Sequence, residues 1–139
     1  MSMASFYKAI SQQDLTEVLN GKVDFDEVGE NIDLDYYSME MLDYLPESDS
    51  PLFALLTQSK DHNQLAEIVD FARLMDENSI NKVVEAFYET NLKEFANDMG
   101  YPEEENAEVS NSLYKTLVNL QNFFENAKAN HKLVINWVM

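Results

Sequence analysis

The chain has 139 residues, the size of one domain with one hydrophobic core, and 45% of them are hydrophobic, with eight Phe, seven Tyr and one Trp, which argues against a disordered chain. Against 26 Asp and Glu stand only nine Lys and Arg, a formal net charge of −17 that repels phosphate backbones and anionic lipid surfaces. Nucleic-acid and membrane partners are therefore disfavoured, whereas a basic protein is electrostatically complementary. The chain has no cysteine, which removes disulfides, thiol nucleophiles and cysteine metal sites. No basic segment followed by an apolar run opens it, and no stretch approaches the ~18 apolar residues of a membrane span, so a cytoplasmic protein is expected.

Residues 3–10 form an apolar and aromatic run predicted as a strand, with Ala4, Phe6, Lys8 and Ile10 on one face. Ser11 followed by Asp14 three places on resembles a capping box, and the helix it opens carries Leu15, Val18 and Leu19 inward before ending at Asn20-Gly21. Residues 22–31 are acidic and aperiodic, which reads as a loop. Asp33 or Asp35 is placed to cap an element holding Tyr36, Met39, Met41, Leu42 and Leu45 that stops at Pro46. Ser50-Pro51 opens a short helix with Leu52, Phe53, Leu55 and Leu56. Residues 64–75 fit either period and are read as a loop or short helix leading into a strand near 70–75. Asp76 or Ser79 caps the next helix, with Ile80, Val83, Val84 and Phe87 at helical spacing, and a further short helix spans 90–99. Tyr101-Pro102 introduces an expected acidic loop at 103–108. Val109, Leu113, Leu117, Leu120, Phe124 and Ala127 then recur every three or four residues, the stripe of a long amphipathic helix. After Asn130-His131, residues 132–138 are apolar on both alternating faces apart from Asn136, as in an interior strand covered on both sides. Residues 1–139 are thus expected to form a single α+β domain, rich in helix, with a small sheet of about three strands that includes both terminal strands.

Chemical motifs are sparse. Asp24, Asp26, Gly29 and Asp35 occupy positions one, three, six and twelve of an EF-hand-like loop, but Val28 stands at position five and no amphipathic helix precedes it. The two histidines, His62 and His131, lack an HExxH partner, and the three glycines at 21, 29 and 100 are isolated, which excludes a phosphate-binding glycine loop. No catalytic, cofactor or metal residues are assigned. The surface candidate is the block of Asp33, Asp35, Tyr36 and Tyr37 continuing to Asp43 and Tyr44, since tyrosine beside carboxylate joins rigid contact area to charge that suits a basic partner.

Met1-Ser2-Met3 leading to Phe6-Tyr7, the Ile32-Asp33-Leu34-Asp35 segment, Ser50-Pro51-Leu52, Ala72-Arg73-Leu74, Gly100-Tyr101-Pro102 and the closing Asn130-His131-Lys132-Leu133-Val134 occur in an order and spacing that resemble the YfbM-like family of uncharacterised bacterial proteins. That family often carries tryptophan and histidine shortly after the Asp-x-Asp segment, where this chain has Ser38, Met39, Leu42 and Asp43. The resemblance implies a compact α+β domain and no established activity, cofactor or catalytic residue.

The function expected on these grounds is a non-enzymatic protein-interaction module for a basic partner. Its more specific form is an immunity- or antitoxin-like inhibitor whose carboxylates replace phosphate in the basic site of a nuclease; a DNA mimic is a related form. The alternative is a small-molecule-binding domain or enzyme with a site at the sheet face, lined by Tyr7, His131 and Trp137.

Overall fold

Two six-residue apolar runs at opposite ends of the chain find each other and set the architecture. A computed structural model describes residues 5–32, 58–99 and 103–138, with side chains apart from those of Ser5 and residues 96–113. Strand β1, Ser5–Ile10, pairs antiparallel with β5, Leu133–Val138, along its whole length, from Ser5 opposite Val138 to Ile10 opposite Leu133. The other edge of β5 takes β4, Arg73–Met75, with Leu74 opposite Ile135. Outside these lie β2, Glu30–Asn31, on β1 and β3, Lys60–Asp61, on β4. The sheet is therefore five-stranded and antiparallel, in the order β2-β1-β5-β4-β3, rather than the three strands or so that periodicity predicts. β2 and β3 are two residues long, polar and exposed, so they have no apolar alternation to betray them; they borrow the ladder of the neighbouring strand. Short charged edges also discourage pairing with another chain.

Five helices accompany the sheet among the described residues: α1, Gln12–Leu19; α2, Asn63–Ala66; α3, Glu77–Glu89; α4, Leu92–Met99; and α5, Glu103–Ala129. Ser11 caps α1 as its spacing suggests, its hydroxyl accepting from Asp14 N–H at 3.1 Å. Asp76, not Ser79, caps α3, accepting from Ser79 N–H at 2.8 Å. The expected acidic loop at 103–108 is instead the first turns of α5, a stretch whose glutamate and alanine are good helix formers. The elements expected over residues 36–45 and from Ser50-Pro51 lie outside the described residues.

Register decides which side chains share a face. Tyr7 and Ala9 align with Asn136 and Val134, and these with Arg73 and Met75. This face packs against Ile80, Val83, Val84 and Phe87 of α3 and Leu117, Leu120, Phe124 and Ala127 of α5. Phe124 sits between Tyr7 and Phe87, with ring centroids 5.8 and 6.4 Å away. The opposite face presents Ile10, Leu133, Ile135 and Trp137 to Leu15 and Val18 of α1, Phe25, Leu65 and Ala72. Trp137 stacks on Phe6 at 5.6 Å and meets Phe25 edge-on at 5.2 Å. Each fully buried aromatic contributes about 2–3 kcal/mol of hydrophobic free energy, so β5, apolar on both faces, is the seam joining two cores.

Candidate functional site

The acidic stretch after α1 folds around a cation of its own. Lys8 lies on the inward face of β1 and is 2% exposed. Its ammonium donates to the carbonyls of Phe25 at 2.6 Å and Val28 at 2.7 Å, and stands 4.3 Å from the centre of the Phe25 ring. Burial lowers the Lys8 pKa below the ordinary lysine range, with the Asp26 carboxylate acting in the opposite direction. Gly29, at φ +76°, lets the chain turn onto β1: a Cβ there would sit 2.7 Å from the carbonyl oxygen of Ala9. The residues that imitated part of a calcium loop are thus arranged otherwise. Asp24 precedes the 3-10 turn Phe25–Glu27, Gly29 packs on β1, and two carbonyls of the segment already receive the lysine. Asp35 lies outside the described residues. In the sequence Lys8 stands in phase with Phe6 and Ile10, which hints at an inward lysine but not at what encloses it.

A polar groove of about 550 Å³ opens between the start of α3 and the turn from α5 to β5, lined by Gln12, Asp76, Glu77, Asn81 and His131 over Leu133. A smaller recess of about 210 Å³ beside it adds Ile80, Lys128 and Lys132. His131 Nδ1 lies 3.5 Å from a Glu77 carboxylate oxygen, with both side chains well exposed. The backbone explains this histidine's position. Lys132 N–H donates to Ala127 C=O at 2.9 Å and His131 N–H to Lys128 C=O at 3.2 Å, the paired bonds of a helix end whose next residue turns left-handed, and His131 accordingly has φ +53°. A carboxylate and an imidazole at this spacing can bind a polar ligand or pass a proton. Among the described residues no three His, Asp or Glu side chains gather into a metal-binding set. Asp76 at the groove wall is held below its ordinary carboxylate range by the N–H and hydroxyl of Ser79.

Tyr7, His131 and Trp137 do not line one cavity. Tyr7 is 1% exposed in the core under α5, Trp137 faces the other core, and His131 stands in the turn before β5. His62 serves as a cap: its Nδ1 accepts from Leu65 N–H at 3.1 Å at the start of α2. Asp33, Asp35, Tyr36, Tyr37, Asp43 and Tyr44 all lie outside the described residues. Among the described residues no helix is long and apolar enough to cross a membrane.

No family model matches the chain, and no curated protein matches it. A solved structure does: YfbM from Escherichia coli, a protein of unknown function, aligns over 98% of this chain and 99% of its own with a TM-score of 0.67 at 10% sequence identity. The chain thus has the α+β fold of YfbM, the protein whose family the short motifs resemble.

Proposed function

We propose that the chain is a non-enzymatic interaction module that binds a basic protein in the cytoplasm, with the immunity- or antitoxin-like inhibitor of a nuclease as the specific form. The observation that carries this reading is the net charge of −17. Of the nine Lys and Arg, Lys8 is enclosed by carbonyls, Arg73 approaches Asp61 at 3.2 Å and Lys132 approaches Glu30 at 3.9 Å, while Asp24, Asp26 and Glu27 are exposed. Such a surface draws a basic partner over distances of about 10 Å at moderate salt and repels nucleic acid. Asp33, Asp35, Tyr36, Tyr37, Asp43 and Tyr44 remain the residues proposed to touch it.

The test is capture from a cell lysate by the immobilised chain and by an Asp33→Asn/Asp35→Asn/Asp43→Asn variant, at about 50 mM and about 500 mM salt. The retained proteins should be enriched in high isoelectric points, should elute at the higher salt and should be depleted by the variant. Retention without that basic bias, or insensitive to salt, overturns the reading. The second reading, a small-molecule-binding domain or enzyme, has the His131–Glu77 groove in its favour. Thermal-shift screening should then find stabilising ligands that are lost on His131→Gln.

A further inference from the structure

We propose that the turn carrying Ile68 and Phe71 is an apolar knob that inserts into a pocket of the basic partner. The inference rests on the reading of the chain as a module for such a partner and adds the contact that makes binding specific.

The turn joins α2 to β4 and is fixed at both ends. Leu65 is fully buried before it, Ala72 is 3% exposed after it, and Val69 packs against the second core. Ile68 and Val69 N–H both donate to Leu65 C=O, and Ala72 N–H donates to Val69 C=O at 3.1 Å, closing a four-residue turn. From this rigid base two large apolar side chains face water, Ile68 at 45% and Phe71 at 69% exposure. The other large apolar side chains exposed among the described residues are tyrosines, Tyr88 and Tyr114, whose hydroxyls suit them to water.

Phe71 breaks two local rules at once. It is the third residue of its turn and has φ +64°, the left-handed setting that a type II turn reserves for glycine or asparagine. A bulky residue there is strained, and a side chain 69% exposed returns little hydrophobic stabilisation to offset the strain. Among the described residues neither the turn nor the core explains a phenylalanine at this position. Places where a sequence departs from its local rules without gain to the fold are characteristically functional.

The neighbouring charges choose the occupant. Exposed Glu67 and Asp70 alternate with Ile68 and Phe71, so a complementary socket is apolar at its floor and basic at its rim. A second copy of this chain would set Glu67 and Asp70 against a surface of net charge −17, and an anionic membrane would meet the same repulsion.

The probes are arginine-rich peptides with either Leu-Phe or Ser-Ser at their centre, titrated by fluorescence anisotropy at about 50 mM salt against the wild-type chain and Ile68→Gln/Phe71→Asn. The wild type should bind the Leu-Phe peptide about tenfold more tightly than the Ser-Ser peptide, the double variant should lose that preference, and the Ser-Ser peptide should bind both proteins alike. An unchanged preference in the double variant overturns the knob while leaving the basic-partner reading intact. Failure of both peptides to bind the wild type overturns both. Sedimentation showing a wild-type dimer that the double variant dissolves assigns the turn to a second copy and overturns the proposal. The urea midpoint of Phe71→Asn should equal or exceed that of the wild type, since asparagine suits the turn; a fall would make Phe71 a structural residue and overturn the proposal as well.

Discussion

Replacing Lys8 by Met removes the group around which residues 25–29 are organised, while retaining a side chain of similar length. The two bonds at 2.6 and 2.7 Å come from a charged donor and are worth about 1.5 kcal/mol each at the lower end of their range, so about 3 kcal/mol is lost. Methionine packs where the lysine stem packed and leaves no ammonium to hold out of water, which offsets part of that loss. The net expectation is a destabilisation of about 2 kcal/mol at neutral pH, near 6 °C in Tm for a domain of this size. Urea denaturation followed by the fluorescence of Trp137 is suited to the test, because this single tryptophan meets the Phe25 ring at 5.2 Å and reports the same segment. The difference should also depend on pH. Because the Lys8 pKa is lowered in the folded chain, the unfolded chain keeps its proton to higher pH, and the contribution of Lys8 to stability rises with pH up to the ordinary lysine value of 10.5. The wild-type advantage over Lys8→Met should therefore grow between neutral pH and that value. Equal midpoints at neutral pH, or an advantage that shrinks as pH rises, refutes the account of Lys8 as an enclosed cation.

Gly29→Ala and Gly21→Ala should separate in thermal melts: both adopt positive φ, but only at Gly29 would the new Cβ meet a backbone carbonyl, so about 1 kcal/mol is expected at Gly21 and at least about 2 kcal/mol at Gly29. Asp76→Ala should cost about 1 kcal/mol at neutral pH through loss of the α3 cap. Since the folded-state pKa of Asp76 is lowered, that contribution is complete above its ordinary value of 3.8 and disappears as pH falls through the lowered one, so wild type and variant should converge in acid denaturation. His131→Gly should stabilise by up to about 1 kcal/mol in urea unfolding, because glycine suits the left-handed helix end and an exposed pair with Glu77 contributes little. Phe124→Ala, at the centre of the larger core, should cost about 3–5 kcal/mol in the same assay.

Elements with their own periodicity or cap were legible in the sequence. The stripe through Leu117, Leu120, Phe124 and Ala127 is the buried side of α5, and Ser11 and Asp76 cap the helices that follow them. The two-sided apolar run of residues 133–138 is a strand between two cores, because a strand covered on both faces has no polar phase to show. Tertiary structure alone decided the rest. Pairing of β1 with β5 across the 122 residues between Ile10 and Leu133 creates the ladders that make strands of Glu30–Asn31 and Lys60–Asp61, which carry no strand pattern. The fate of Lys8 was likewise undecided by its place in the alternation: only the return of the Phe25 and Val28 carbonyls onto β1 makes burial of its charge tolerable. The left-handed settings of Phe71 and His131 are written in no motif, since residues of either type ordinarily avoid them and backbone hydrogen bonds formed on folding impose them. Local rules are carried by residues three or four apart and can be read along the chain, whereas register, enclosure and exposure depend on which distant segments meet.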